Sequence, residues 1–180
     1  MTRITEIRAR TVNVPLTNPT SFSNRKVLKR DYALVEVVGD DGVKGIGFCY
    51  GGNNAGALVT QAVRELLRPI LIGQDTHRVD GLWQEMYQES LLHGRTGSVM
   101  RAISIIDTAL WDRNARAANL PLYKFLGATD THSVPAYASG GYYLDGKTPE
   151  KLAEEMKGYV AKGFKAVKMK VGRENLAGEE

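Results

Sequence analysis

The chain has 180 residues, 43% of them hydrophobic and 24% charged, with a formal net charge of +4. This is enough for one good core, and neither fraction is that of a disordered protein. No run approaches the ~20 apolar residues of a membrane-spanning helix, and Met1-Thr2-Arg3-Ile4-Thr5-Glu6 lacks the apolar segment of a signal peptide, so a cytoplasmic protein with no membrane partner is expected.

Residues 3–14 alternate imperfectly and are rich in Ile, Thr and Val, which predicts a strand. Thr17-Asn18-Pro19-Thr20-Ser21-Phe22-Ser23-Asn24-Arg25 has turn formers and no period, and reads as a mobile surface loop. The one dense basic group, Arg25, Lys26, Lys29 and Arg30, is broken by Val27 and Leu28 and followed by Asp31. It reads as a solvated face rather than a polyanion stripe, so no nucleic-acid partner is expected, while a small anionic substrate is compatible with it. Asp31 to Val38 and Val43 to Tyr50 are two further strands, joined by the hairpin turn Gly39-Asp40-Asp41-Gly42. Cys49 is the only cysteine, which excludes an intrachain disulfide framework and fits a reducing compartment.

Helices follow the three-stranded meander. Ala55 to Leu67 has helical spacing and is expected to stop at Pro69; Arg78 to Leu91 follows the plausible cap residues Asp75 and Thr76. Gly97 to Ala118 is the strongest helical pattern, with Asp112 and Arg116 one turn apart, and Leu122 to Leu126 is a short turn ended by Gly127. Val134 to Ser139 then reads as a strand, Pro149 to Ala161 as a helix capped by Thr148, and Phe164 to Val171 as another strand. Strand, helix, strand is the unit of a parallel α/β sheet, so a domain boundary is placed near residues 127–133.

Phe164-Lys165-Ala166-Val167-Lys168-Met169-Lys170-Val171-Gly172 is the most informative segment. Alternation turns Ala166, Lys168 and Lys170 one way and Val167, Met169 and Val171 the other, where a covering helix could bury them. Two ammonium groups on one face disfavour each other's charge, the direction a general base needs. The alternative is an edge strand whose lysines face solvent and prevent aggregation, and spacing alone does not choose. Other groups carry less. His77, His93 and His132 have no partner at metal-ligand spacing, Asp107 and Asp112 do not share a helix face well, and Trp111 reads as core. The pairs Gly51-Gly52 and Gly140-Gly141 are not a phosphate-binding fingerprint.

A K-x-K at a strand's end, with Ala102-Ile103-Ser104-Ile105-Ile106-Asp107-Thr108-Ala109-Leu110-Trp111-Asp112 continuing through Ala115-Arg116 to Pro121-Leu122 and Leu126-Gly127, resembles the mandelate racemase and muconate lactonizing branches of the enolase superfamily. Ile105, Arg113 and Phe125 depart from the usual helix pattern, where smaller or aliphatic residues are more common. The resemblance implies an α+β capping domain over residues 1–127, a three-stranded antiparallel meander plus helices. Residues 134–180 would then begin a (β/α) TIM-type barrel. It further implies a magnesium-dependent enzyme that removes the proton α to a carboxylate, with Lys170 as base and Lys168 as its electrostatic support. Ser139 would hydrogen-bond the carboxylate, and Tyr50, Phe22 and Arg25, on two capping loops, would contact a small-molecule substrate.

The family's Mg2+ ligands lie at the ends of later barrel strands, so they are expected beyond residue 180, and a homo-oligomer is expected because the family often forms one. A complete barrel typically needs ~250 residues. The chain therefore reads as truncated and inactive by itself. Within this reading, acid-sugar dehydration comes first, weakly favoured by Arg10-Thr11-Val12-Asn13-Val14-Pro15-Leu16, with racemisation or epimerisation next and cycloisomerisation after that. The alternative of another class is a non-catalytic capping or oligomerisation fragment.

Overall fold

The computed structural model describes residues 1–22, 25–128 and 133–171. Three strands, β1 (Ile4–Phe22), β2 (Arg25–Gly39) and β3 (Lys44–Tyr50), form an antiparallel sheet in the order β1-β2-β3. The β2–β3 register runs from Tyr32 opposite Tyr50 to Val38 opposite Lys44. Alternation then does the sorting: Ala33, Val35 and Val37 are buried on one face, while Leu34, Glu36 and Val38 lie on the other. The turn between the strands closes with Gly39 N–H on the Val43 carbonyl at 3.0 Å and Val43 N–H on Asp41 Oδ1 at 3.0 Å.

The stretch from Thr17 is not the surface loop its composition suggested, because β1 continues to Phe22 and β2 starts at Arg25. Backbone groups paired along a neighbouring strand do not need apolar periodicity. Pro19 is tolerated because β1 is an edge strand, where a missing N–H can fall on the unpaired side. The remainder of the expected loop, Ser23 and Asn24, lies outside the described residues.

The helices are α1 (Gly56–Gln61), α2 (Arg68–Leu71), α3 (Val79–Glu89), α4 (Gly97–Ala117), α5 (Leu122–Phe125) and α6 (Pro149–Ala161). Pro69 does not stop the first helical stretch. A π-helical turn over Ala62–Leu67 widens the hydrogen-bond ladder directly before it, so the proline sits in the first turn of α2 without needing an N–H. Nor do Asp75 and Thr76 cap α3, whose cap position is Arg78 with no side-chain bond. Asp75 Oδ1 accepts from His77 N–H at 3.1 Å, and Thr76 is drawn inward as an acceptor for the buried Arg113. The Asp112–Arg116 pair forms as expected, at 2.9 Å.

The chain divides into two compact units: Met1–Val14 with Arg30–Asp130, and Pro15–Lys29 with the segment from Thr131 onward. In the first, α4 lies on β3, and Ile103, Ile105, Ile106 and Leu110 join Val35, Val37, Leu67, Leu82 and Met86 in one core. In the second, β4 (Ala138–Ser139) and β5 (Val167–Lys168) pair in parallel across α6. Both strands are far shorter than the expected 134–139 and 164–171. A strand lasts only as long as the ladder beside it, and each has one partner among the described residues. No described helix is long and apolar enough to cross a membrane.

Candidate functional site

Thr148 opens α6 as the sequence suggested, its hydroxyl accepting from Lys151 N–H at 3.4 Å with Pro149 in the first turn. The helix returns the chain so that β5 runs parallel to β4, with Ala138 opposite Val167 and Ser139 opposite Lys168. Gly140 N–H donates to the Lys168 carbonyl at 2.9 Å, and Lys170 N–H to the Gly141 carbonyl at 3.3 Å. Ser139 and both lysines therefore stand together at the C-terminal end of one parallel pair, the end at which barrel enzymes build their sites.

Lys168 and Ser139 are exposed and Lys170 is half-buried. The Lys170 Nζ lies 5.7 Å from the centroid of the Tyr142 ring. Val167, Met169 and Val171 are exposed rather than packed beneath a helix, since α6 buries none of its own side chains.

The loop after β4 is tied down by residues that the sequence did not single out. Gly141 has φ +65°, a left-handed conformation, and a Cβ there would strike Met169. Its N–H donates to Glu155 Oε1 at 3.0 Å, and the Tyr159 hydroxyl donates to the same oxygen at 3.0 Å. Lys147 closes the ring, its Nζ donating to the Tyr142 carbonyl at 3.1 Å and to Glu155 Oε2. The Lys147 ammonium, working against burial and assisted by the Gly141 N–H and the Tyr159 hydroxyl, holds the Glu155 carboxyl below the usual carboxylate range. Glu155 in turn pushes the Tyr159 phenol up. The one sequence signal for this network was the i,i+4 spacing of Glu155 and Tyr159 on a helix face.

In the same unit, a cleft of about 430 Å3 lies between β1 residues Asn18 and Thr20 and the loop residues Tyr142, Leu144, Asp145 and Lys147. The backbones of Phe22 and Arg25 end β1 and open β2, but their side chains lie outside the described part of the structure. Tyr50 belongs to the first unit. Its ring is 5.9 Å from that of Tyr32, and its carbonyl accepts from Arg101.

Residues 4–127 match the family model described as the mandelate racemase / muconate lactonizing enzyme N-terminal domain. The chain is 38% identical over 148 residues to an arabinonate dehydratase of Saccharolobus solfataricus, covering 81% of this chain and 39% of that protein. It is 35% identical over 175 residues to a 3,6-anhydro-alpha-L-galactonate cycloisomerase of Streptomyces coelicolor, covering 96% of this chain and 47% of that one. Among solved structures, a racemase from Streptomyces coelicolor with bound magnesium superposes with a TM-score of 0.85 at 34% identity, over 96% of this chain and 48% of the other. The chain thus spans less than half the length of each of these relatives. The meander, the α4 helix on its inner face and the matched residues make this chain a member of the mandelate racemase/muconate lactonizing enzyme family of the enolase superfamily.

Proposed function

We propose that the protein to which these residues belong removes the proton α to the carboxylate of a small acid, most plainly an acid sugar that it dehydrates. The observation that carries this reading is the placement of Lys168 and Lys170 beside Ser139 at the C-terminal end of β4 and β5. Lys170 is the base: its neutral amine takes the α-proton, and the electron pair left behind is delocalised into the carboxylate. Lys168 raises the local positive potential and helps to hold the substrate carboxylate. The Ser139 hydroxyl is exposed and free to donate to a carboxylate oxygen. Tyr50, Phe22 and Arg25 are proposed, by family position, as contacts that select the substrate. Residues 1–127 serve as the capping domain and residues 134–180 as the start of a β/α barrel.

Magnesium is bound in the Streptomyces coelicolor racemase, and a cation of that kind stabilises charge developing on a carboxylate. Among the described residues, no three His, Cys, Asp or Glu side chains gather to hold a metal, so they do not supply ligands for such a cation.

Dehydration is supported by the arabinonate dehydratase relative. Racemisation remains the second outcome of the same proton abstraction, and cycloisomerisation is supported by the relative that covers more of the chain. The test uses the full-length enzyme with magnesium, a panel of acid sugars and deuterated water. Deuterium is expected at the α-carbon, and Lys170→Met is expected to abolish it. Incorporation at the unmutated rate in that variant would remove Lys170 from the reaction.

A further inference from the structure

We infer that Tyr142 is a positioning residue for Lys170, its ring holding the side-chain amine at the end of β5, and that the Lys147–Glu155 pair holds Tyr142 in place. This rests on the reading of Lys170 as the base. No sequence pattern marks Tyr142, which lies in the loop between β4 and α6.

Three observations converge on it. The Lys170 Nζ stands 5.7 Å from the ring centroid, within the range at which an ammonium is attracted to an aromatic face. The backbone on either side of the ring is fixed by opposite ends of one ion pair, because Glu155 accepts from Gly141 N–H at 3.0 Å and Lys147 donates to the Tyr142 carbonyl at 3.1 Å. The same loop is stitched to the lysine's own backbone by the Lys170 N–H on the Gly141 carbonyl at 3.3 Å. Ring and amine are therefore held to one frame from both ends.

In the proposed step the α-carbon–hydrogen bond breaks and a nitrogen–hydrogen bond forms at Lys170. The Tyr142 ring confines a side chain with four rotatable bonds and keeps its nitrogen within reach of the substrate carbon, so it acts on turnover rather than on substrate affinity.

Two experiments test this. In the 180-residue chain, proton–carbon NMR of the Lys170 ε-methylene, assigned against Lys170→Met, is expected to show an upfield ring-current shift. Tyr142→Phe should keep that shift, Tyr142→Leu should lose it, and Glu155→Gln should reduce it. A resonance that is the same in the unmutated chain and in Tyr142→Leu would overturn the contact, and one unchanged in Glu155→Gln would remove the ion pair from the proposal. In the full-length enzyme, Tyr142→Leu is expected to lower kcat for α-deuteration about three- to tenfold with KM held, and Tyr142→Phe to recover most of the loss. Equal losses in the two variants would show that the ring is not the agent. Lys170→Met separates the two levels. If it abolishes exchange while Tyr142→Leu turns over normally, the base assignment stands and Tyr142 falls. If exchange survives Lys170→Met, both fall.

Discussion

Arg113 is fully buried in α4, where a guanidinium must find acceptors for its donors or cost several kcal/mol. Its Nη1 donates to Thr76 Oγ1 at 3.1 Å and to Asn114 Oδ1 at 3.0 Å, and its Nη2 donates to the Asp41 carboxylate. Burial pushes the Asp41 carboxyl up, but Arg113 and the Val43 N–H outweigh it and hold it below the usual range. A carboxyl lowered on folding stabilises the fold above its unfolded pKa, and that contribution is lost as pH falls through the folded value. Asp41→Ala should therefore strand the cation and cost about 2–4 kcal/mol in urea unfolding, discounted for the partial exposure of Asp41. Arg113→Met in the Asp41→Ala background should recover part of that loss; simple addition of the two losses would show that the pair does not interact. From sequence, Arg113 stood out only as a departure from the family's helix pattern. Its burial could not be read, because arginine is among the residues least often buried and two of its three acceptors come from a turn 72 positions away and a segment 37 positions away.

The contact between α4 and β3 depends on side chains that are missing. Gly45 and Gly47 face the helix, and a Cβ at either would collide with a helix carbonyl oxygen, that of Ala109 or of Ile105 respectively. The backbones can meet only without that carbon, which lets Ile105, Ala109 and Leu110 reach the sheet. Gly47→Ala must move a helix rather than a flexible side chain, and should cost about 3 kcal/mol or more in thermal unfolding. Gly158 of α6 is the contrast: nothing lies within reach of an added Cβ, so Gly158→Ala should be neutral or stabilise by up to ~1 kcal/mol. Melting of Gly47→Ala at the unmutated temperature would refute the close approach. Elements governed by their own periodicity were legible: α4 was expected to end at Ala118 and ends at Ala117, and the Gly39–Gly42 turn falls where its residues placed it. Elements governed by a partner were not. The outer part of the β1–β2 hairpin, the passage through Pro69 and the lengths of β4 and β5 depend on ladders that no local window contains.

Across the whole chain, apolar burial is uneven. Every residue of the main core belongs to the first unit, whereas α6 buries no side chain and Val160, Val167, Met169 and Val171 are exposed. The candidate site sits in the second unit, and only part of it could be read in advance. Ser139 and Lys168 end β4 and β5, and Lys170 lies two residues beyond β5, positions that the family motif singles out, but Tyr142, Lys147 and Glu155 meet through a loop conformation that depends on Gly141. Helix α6 is held mainly by its Thr148 cap, the Glu155 network and the edge contact of Tyr159 with Phe164, interactions that each contribute little beside a packed core. Amide hydrogen exchange on the 180-residue chain should therefore separate the two units. Ile103, Ile106 and Leu110 of α4 should exchange only through global unfolding, while Glu154, Lys157 and Tyr159 of α6 should open locally at a free energy at least ~2 kcal/mol lower. Acid should lower the free energy of local opening in α6, because protonating Glu155 removes the carboxylate that joins Gly141, Lys147 and Tyr159. Equal protection of α4 and α6 at neutral pH would mean that the loop network binds the helix as firmly as a core does, and would make the site's frame far stiffer than its exposed side chains imply.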